Sequence, residues 1–277
     1  MPLTTSRALV LARGLGTRMQ RADPAAALTA AQLRAADAGH KALMPIAGRP
    51  FLDYVLSALA DAGLTRVGLV VPPDHGPLAA HYAAAPPSRV ALAFVVQPQA
   101  RGTADAVACA DAWAGGEPFL AMNADNLYPV DALAALASLD EPGLPAFEAG
   151  DLVATGNIPE ERIRAFALVD IDESGYLAGI VEKPQASGSS SAAAGLWREH
   201  RSVSMNLWRF DARIFAVCRA VPRSARGEYE LPEAVGLAVA RGIRFRAVPA
   251  RGPVLDLSRR ADAAELERRL SGMVARP

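Results

Sequence analysis

Four apolar runs constrain the fold: 7–12 (RALVLA), 66–71 (RVGLVV), 90–96 (VALAFVV) and 118–123 (PFLAMN). Their apolar residues fall on both parities, so a strand made from any of them has to be covered on both faces. Helix-patterned stretches at 52–62, 103–114 and 130–139 alternate with them. Strands of this kind joined by helical crossovers form a parallel sheet between two layers of helices. The rhythm changes after about 142, where the strand-like pieces 166–172, 177–181 and 202–209 lie closer together and Glu173-Ser174-Gly175 turns the chain between the first two. Closely spaced strands joined by tight turns pair antiparallel. The expected fold is α/β: three layers, α/β/α and Rossmann-like, around a central mixed, mostly parallel sheet.

A chain of 277 residues can bury its core without metal or disulfide staples. Its 29 basic and 29 acidic residues cancel, which leaves no field to favour nucleic acid or an anionic membrane. The two cysteines, Cys109 and Cys218, are far apart and offer no metal-ligand spacing, as suits a reducing compartment. With no signal-type segment and no apolar run of spanning length, the expected location is cytoplasmic. Three stretches stand apart. Alanine-rich 25–38 is expected as a helix inserted after the opening loop, low-complexity 186–195 (ASGSSSAAAG) as a mobile loop, and 259–273 as a surface helix.

The first apolar run leads straight into LARGLGTRM (11–19). A buried strand that ends in a glycine-rich turn is an anion-binding device, because small residues let backbone N–H groups approach phosphate oxygens. A nucleotide P-loop would end in Gly-Lys-Ser/Thr, and this one reads Thr17-Arg18-Met19. A dinucleotide fingerprint would place a third glycine where Met19 stands. What remains is a plain structural turn, or a loop in which Gly14 and Gly16 admit a nucleotide and Arg18 meets its triphosphate. Two acids stand in matching contexts: Asp125 ends PFLAMNAD, and Asp256 ends the apolar stretch of GPVLDL. Carboxylates at strand ends are where open α/β sheets gather ligands, and Mg²⁺ commonly takes one or two of them with phosphate oxygens.

LARGLGTRM, KALMPIAGRPFLDYVL (41–56), QPQARGTADAV (97–107), MNADN (122–126), VEKP (181–184), SMNLWRF (204–210), GEYELPEAV (227–235) and VLDL (254–257) occur in that order. The ordered set resembles the nucleoside-triphosphate:sugar-1-phosphate nucleotidyltransferases, or sugar nucleotide pyrophosphorylases, from Leu9 to about Asp256. The resemblance implies their nucleotide-diphospho-sugar transferase fold as a single domain over 1–277. Its nucleotide-binding part would span about 1–140, its sugar-phosphate part about 141–257, and its C-terminal helix 259–273. It also implies Mg²⁺-dependent transfer of a nucleotidyl group from a nucleoside triphosphate to a sugar 1-phosphate, giving a nucleoside diphosphate sugar and pyrophosphate. The attacking phosphate is already largely dianionic near neutral pH, so the site has to supply in-line positioning and positive charge rather than a general base.

By the same resemblance Leu11, Ala12, Arg13, Gly14, Gly16, Thr17, Gln97, Gly102 and Thr103 bind the nucleotide. Arg18 and Lys41 meet the triphosphate, Asp125 and Asp256 hold Mg²⁺, and Arg18, Lys41, Lys183 and Asp125 form the catalytic set. Asn126, Glu182, Lys183 and Asn206 bind the sugar phosphate. Taken singly, each admits a plainer reading: a surface arginine, a solvated lysine, a cap acid, a buried amide paired with backbone. Glu230 is either a sugar-pocket acid or a carboxylate favoured at a helix start. Gln97 lies five residues before Gly102, the spacing of a base-reading glutamine in uridylyl- and thymidylyl-transferring members, which favours UTP or dTTP. Arg13 departs from the alanine or glycine usual there, either as an added phosphate contact or folded outward. Stretch 25–38 lengthens the interval between Arg18 and Lys41, as a lid or an oligomer contact, and homo-oligomerisation stays open. The alternatives are a cytidylyltransferase for a non-sugar phosphate or phosphonate, and a non-catalytic nucleotide-sugar-binding regulatory protein.

Overall fold

A computed structural model describes residues 2–14, 16–24, 26–163, 166–181 and 202–277. Glu182, Lys183 and the stretch 186–195 lie outside the described residues. The first half contributes β1 (Arg7–Leu11), β2 (Pro45–Ile46), β3 (Arg49–Pro50), β4 (Arg66–Val71), β5 (Ala91–Val96), β6 (Phe119–Asn123) and β7 (Asn126–Leu127). The second contributes β8 (Gly143–Glu148), β9 (Ala167–Ile171), β10 (Leu177–Val181), β11 (Ser202–Ser204), β12 (Trp208–Phe210), β13 (Arg246–Ala250) and β14 (Leu255–Asp256). The main sheet runs β10-β9-β11-β8-β12-β6-β1-β4-β5, with β13 also paired to β8.

The apolar runs behave as their double-faced pattern requires. Ala8 and Val10 of β1 point into one apolar layer and Leu9 into the opposite one. The same division separates Val67, Leu69 and Val71 from Val70 in β4, and Leu120 and Met122 from Phe119 and Ala121 in β6. Helices Phe51–Asp61, Val130–Ala137 and Asp262–Leu270 cover the first face, and Thr103–Ala108, Arg213–Ala220 and Leu231–Ala240 the second. Strands β5, β4, β1 and β6 are parallel. The second half adds antiparallel pairs at β12–β6, β11–β8, β11–β9 and β10–β9, and one parallel pair at β13–β8. The sheet is thus mixed, with its longest ladders parallel, and the three-layer α/β/α expectation holds.

Three local expectations change. The single strand expected over 202–209 is two, because Asn206 sits at φ +56° between them. That left-handed residue re-aims the chain, so β11 lies between β8 and β9 while β12 lies between β6 and β8. The helix expected over 103–114 divides into Thr103–Ala108 and Asp111–Ala114, with a tighter turn between them closed by Ala110 N–H to Val107 C=O at 2.9 Å. Among the described residues of the alanine-rich stretch only Ala30–Asp37 is helical, started by a reciprocal cap between Thr29 and Gln32. Gln32 is buried and donates to Glu267 Oε1 at 2.8 Å and to Pro45 C=O at 3.0 Å, so this helix is pinned to the C-terminal helix. Among the described residues no helix is long and apolar enough to cross a membrane.

Gly68 faces the indole of Trp113, where a Cβ would lie 2.8 Å from Cε2. The half-buried Trp113 ring packs against the core and would have to be displaced, so Gly68→Val is expected to lower the unfolding free energy by about 1–3 kcal/mol. A reduced urea midpoint with an unchanged far-UV spectrum checks this, and an unshifted midpoint would contradict the packing.

Candidate active site

The C-terminal ends of β1, β5 and β6 open into one cleft of about 430 Å³. This is the edge at which open parallel sheets collect ligands. Leu11, Ala12, Arg13, Gly14, Gly16 and Thr17 form one wall, Gln97, Gly102 and Thr103 another, and Lys41 and Asp125 lie in the same cleft. Gly16, at φ +62°, starts the short helix Thr17–Gln20 in a left-handed conformation that an L side chain disfavours. Gly14 has no neighbour within 4 Å of a Cβ position, so its backbone is open to a ligand.

The charges are arranged in pairs. Lys41 opens the short turn Lys41–Leu43 and its ammonium is ion-paired with Asp125 Oδ2. Asp125 follows β6, and its C=O accepts the Leu257 N–H at 2.9 Å, next to the register in which Asp256 of β14 faces Asn126 of β7. Asp256 is buried and held on every side. Its Oδ1 accepts from Arg162, and its Oδ2 accepts from Asn126 Nδ2 and Ser258 Oγ, each at 3.0 Å. The Asn157 amide brackets its backbone, donating to its C=O and accepting its N–H, both at 2.8 Å. Burial pushes the Asp256 carboxyl above its ordinary pKa and the charge of Asp125 pushes the same way, while Arg162 and Lys41 pull it back. The two acids therefore lie within each other's field, each matched to one cation. Among the described residues no three His, Cys, Asp or Glu side chains form a metal cluster. The partly exposed Asp125 carboxylate is the hard oxygen donor that Mg²⁺ takes together with phosphate oxygens and water, whereas both Asp256 oxygens already accept hydrogen bonds.

The wall opposite the glycine loop is built on Gln97. Its side chain is buried, and Nε2 donates to Gly102 C=O at 3.1 Å and to Asp105 Oδ2 at 2.8 Å. Arg13 does not fold outward: Nε donates to Gln97 C=O at 2.8 Å and Nη2 to Pro98 C=O at 3.4 Å. The 227–231 segment docks on the 101–104 turn, through Tyr229 N–H to Arg101 C=O at 2.8 Å and Ala104 N–H to Tyr229 C=O at 2.9 Å. That approach is why Gly102, at φ +112°, has no room for a side chain: a Cβ would lie 2.4 Å from Tyr229 O. The Thr103 hydroxyl accepts the Leu231 N–H at 2.9 Å and so helps start the helix Leu231–Ala240. Glu230 is the N-cap residue of that helix, buried and ion-paired with Arg226.

Not every residue singled out from sequence reaches the cleft. Arg18 is exposed and borders a neighbouring cavity of about 300 Å³ with Arg21, Asp23, Arg259 and Arg260. Asn126 is buried and its amide supports Asp256, because β7 and β14 set the two side by side. Asn206 is half-buried at the break between β11 and β12, with its N–H donated to Ser204 Oγ at 3.3 Å. Three contributors had no sequence signal: Asp105 behind Gln97, and Asn157 and Arg162 around Asp256.

Residues 7–254 match the family model described as nucleotidyl transferase. The chain is 27% identical over 273 residues to a glucose-1-phosphate thymidylyltransferase of Streptomyces antibioticus, covering 95% of this chain and 65% of that protein. It is 26% identical over 278 residues to the UTP–glucose-1-phosphate uridylyltransferase AglF of Haloferax volcanii, covering 95% of this chain and 96% of that one. A crystal structure of UDP-glucose pyrophosphorylase complexed with UDP-glucose superimposes with a TM-score of 0.70 at 17% identity, covering 96% and 98% of the two chains. The chain spans 50–65% of the length of several of the curated relatives it matches, the Streptomyces antibioticus protein among them. Asp256 does not line the cleft and lies buried behind Asp125. With a strand-end cleft built from a glycine loop and a lysine–aspartate pair, and a family match running through nearly all of it, the chain belongs to the nucleotidyl transferase family.

Proposed function

We propose that the protein transfers a nucleotidyl group from UTP or dTTP to a sugar 1-phosphate, releasing pyrophosphate. The observation that carries this reading is the meeting, in one cleft, of the glycine loop, Lys41, Asp125 and Gln97. Relatives named as thymidylyl- and uridylyltransferases of glucose 1-phosphate support the same choice. The triphosphate is assigned to the glycine loop through Gly14, Gly16 and Thr17, the base to Gln97, and the acceptor, as the motif order implies, to Lys183, Glu182 and Asn206.

A phosphate oxygen of the sugar 1-phosphate forms a bond to the α-phosphorus while the bond to the bridging oxygen breaks, and pyrophosphate leaves with that electron pair. Mutual repulsion of the two anions is the main barrier, so positive charge and alignment do most of the catalysis. Lys41 shares the cleft with the loop, and its ammonium is exchangeable between Asp125 and a phosphate oxygen. Arg18, in the neighbouring basic cavity, is assigned to the departing pyrophosphate. Asp125, with Asp256 once released from its present donors, would hold Mg²⁺, which would supply positive charge to the phosphates.

Pyrophosphate release with UTP or dTTP and a panel of hexose 1-phosphates tests the reading, and no release from any pair would overturn it. Asp125→Asn should leave the fold intact and lower kcat by about 10²–10³-fold or more. A chelator should stop turnover and added Mg²⁺ restore it; turnover that persists in the chelator would remove the metal from the account. Lys183→Ala should raise KM for the sugar 1-phosphate by about 10–100-fold, the loss of one charged contact, with the nucleotide KM unchanged.

A further inference from the structure

We infer that Asp105 decides which bases this cleft accepts, by holding the Gln97 amide with its oxygen turned to the nucleotide. The inference rests on the nucleotidyl-transfer reading above and narrows its substrate class. A glutamine amide carries two N–H donors and one carbonyl acceptor, and reversing it exchanges what it offers. Both donors of Gln97 Nε2 are engaged, at 3.1 Å by Gly102 C=O and at 2.8 Å by Asp105 Oδ2. Those partners are acceptors only, so a reversed amide would set oxygen against two oxygens. The group Gln97 can still offer to the cleft it lines is Oε1.

An acceptor at that position matches the N3–H of uracil or thymine. Cytosine presents a lone pair at N3 and is opposed there. A buried polar group built for one partner discriminates strongly against an analogue that leaves it unpaired. The surroundings keep the amide from drifting. Arg13 holds the backbone carbonyls of Gln97 and Pro98, at 2.8 and 3.4 Å. Asp105 sits in the first turn of helix Thr103–Ala108, whose start is fixed by Gly102 at φ +112° and by the docked Tyr229 backbone. Asp105 acts through Gln97 and is a positioning residue.

The test is nucleotide binding to the full-length protein without acceptor, using UTP, dTTP, CTP and 3-methyluridine triphosphate, which lacks the N3–H. The wild type should bind UTP and dTTP about tenfold or more tighter than CTP and the methylated analogue. Asp105→Asn lets the Gln97 amide turn over, and should bring the UTP-to-CTP ratio close to one. Asp105→Ser, which shortens the side chain, should do the same and serves if the first variant folds poorly. General damage would weaken all four nucleotides alike, so an unchanged ratio in both variants overturns the inference, as does a wild type without preference for UTP over CTP. Pyrophosphate release separates the two readings. A wild type that turns over UTP while both variants keep its preference leaves transfer standing and removes Asp105. A preference lost in the variants of a protein that turns over no sugar 1-phosphate leaves Asp105 standing and removes transfer.

Discussion

Asp125 and Asp256 end up side by side because their backbones are tied together, through the Leu257 N–H to Asp125 C=O bond at 2.9 Å and the pairing of β14 with β7. Two like charges in a partly buried setting need compensation, since an unpaired buried charge costs several kcal/mol. Lys41 compensates Asp125, and Arg162 compensates Asp256 while also bonding Asp262 at 2.6 Å. Asp262 in turn accepts the N–H groups of Ser258 and Arg259, at 2.8 and 2.7 Å, so the acid pair is continuous with the start of the C-terminal helix. That helix reaches back through Glu267 to Gln32 and Ala47, on the segment that flanks Lys41. The inserted helix and the C-terminal helix thus brace the charged floor of the cleft from outside it.

The two acids are not equivalent. The Asp125 side chain keeps 27% of its surface exposed and has one cation beside it, whereas Asp256 keeps 5% and has donors on both oxygens. Asp125 can change partners at little cost in burial. Asp256 cannot without disturbing Asn126, Ser258 and Arg162 together.

The four apolar strands, the three-layer order and the strand-end position of Asp125 were legible in the sequence, because a strand covered on both faces leaves a run with no polar parity. β8 and β13 were not. Their sequences, GLPAFE and RAVPA, are short, carry proline and pair with each other across about a hundred residues. The break at Asn206 was hidden because its neighbours are apolar and its left-handed φ has no signature beyond the asparagine itself. Motif order placed Gln97 and Lys41 in the cleft, yet it did not say which residues hold Gln97 or Asp256: Asp105 lies inside QPQARGTADAV without being singled out, and Asn157 and Arg162 lie outside every motif. Arg162 reads as an ordinary helix arginine in EERI, and only the fold brings it onto Asp256. Arg18 illustrates the converse: its motif is clear, and its side chain points into the next cavity.

Arg13 joins the two ends of the cleft. It belongs by sequence to the glycine loop, the phosphate end of the proposed site, yet its guanidinium grips the main chain at Gln97 and Pro98 on the base end. A small residue there would leave the loop and the wall to be aligned by the sheet alone, through β1 and β5, which are separated by β4. With Arg13 in place, the glycine loop is tied directly to the backbone that carries the Gln97 amide. Asp105 fixes which way the amide faces and Arg13 fixes where it stands. The proposed base end and the proposed phosphate end of the cleft are thus joined by one side chain, although they are built on different strands.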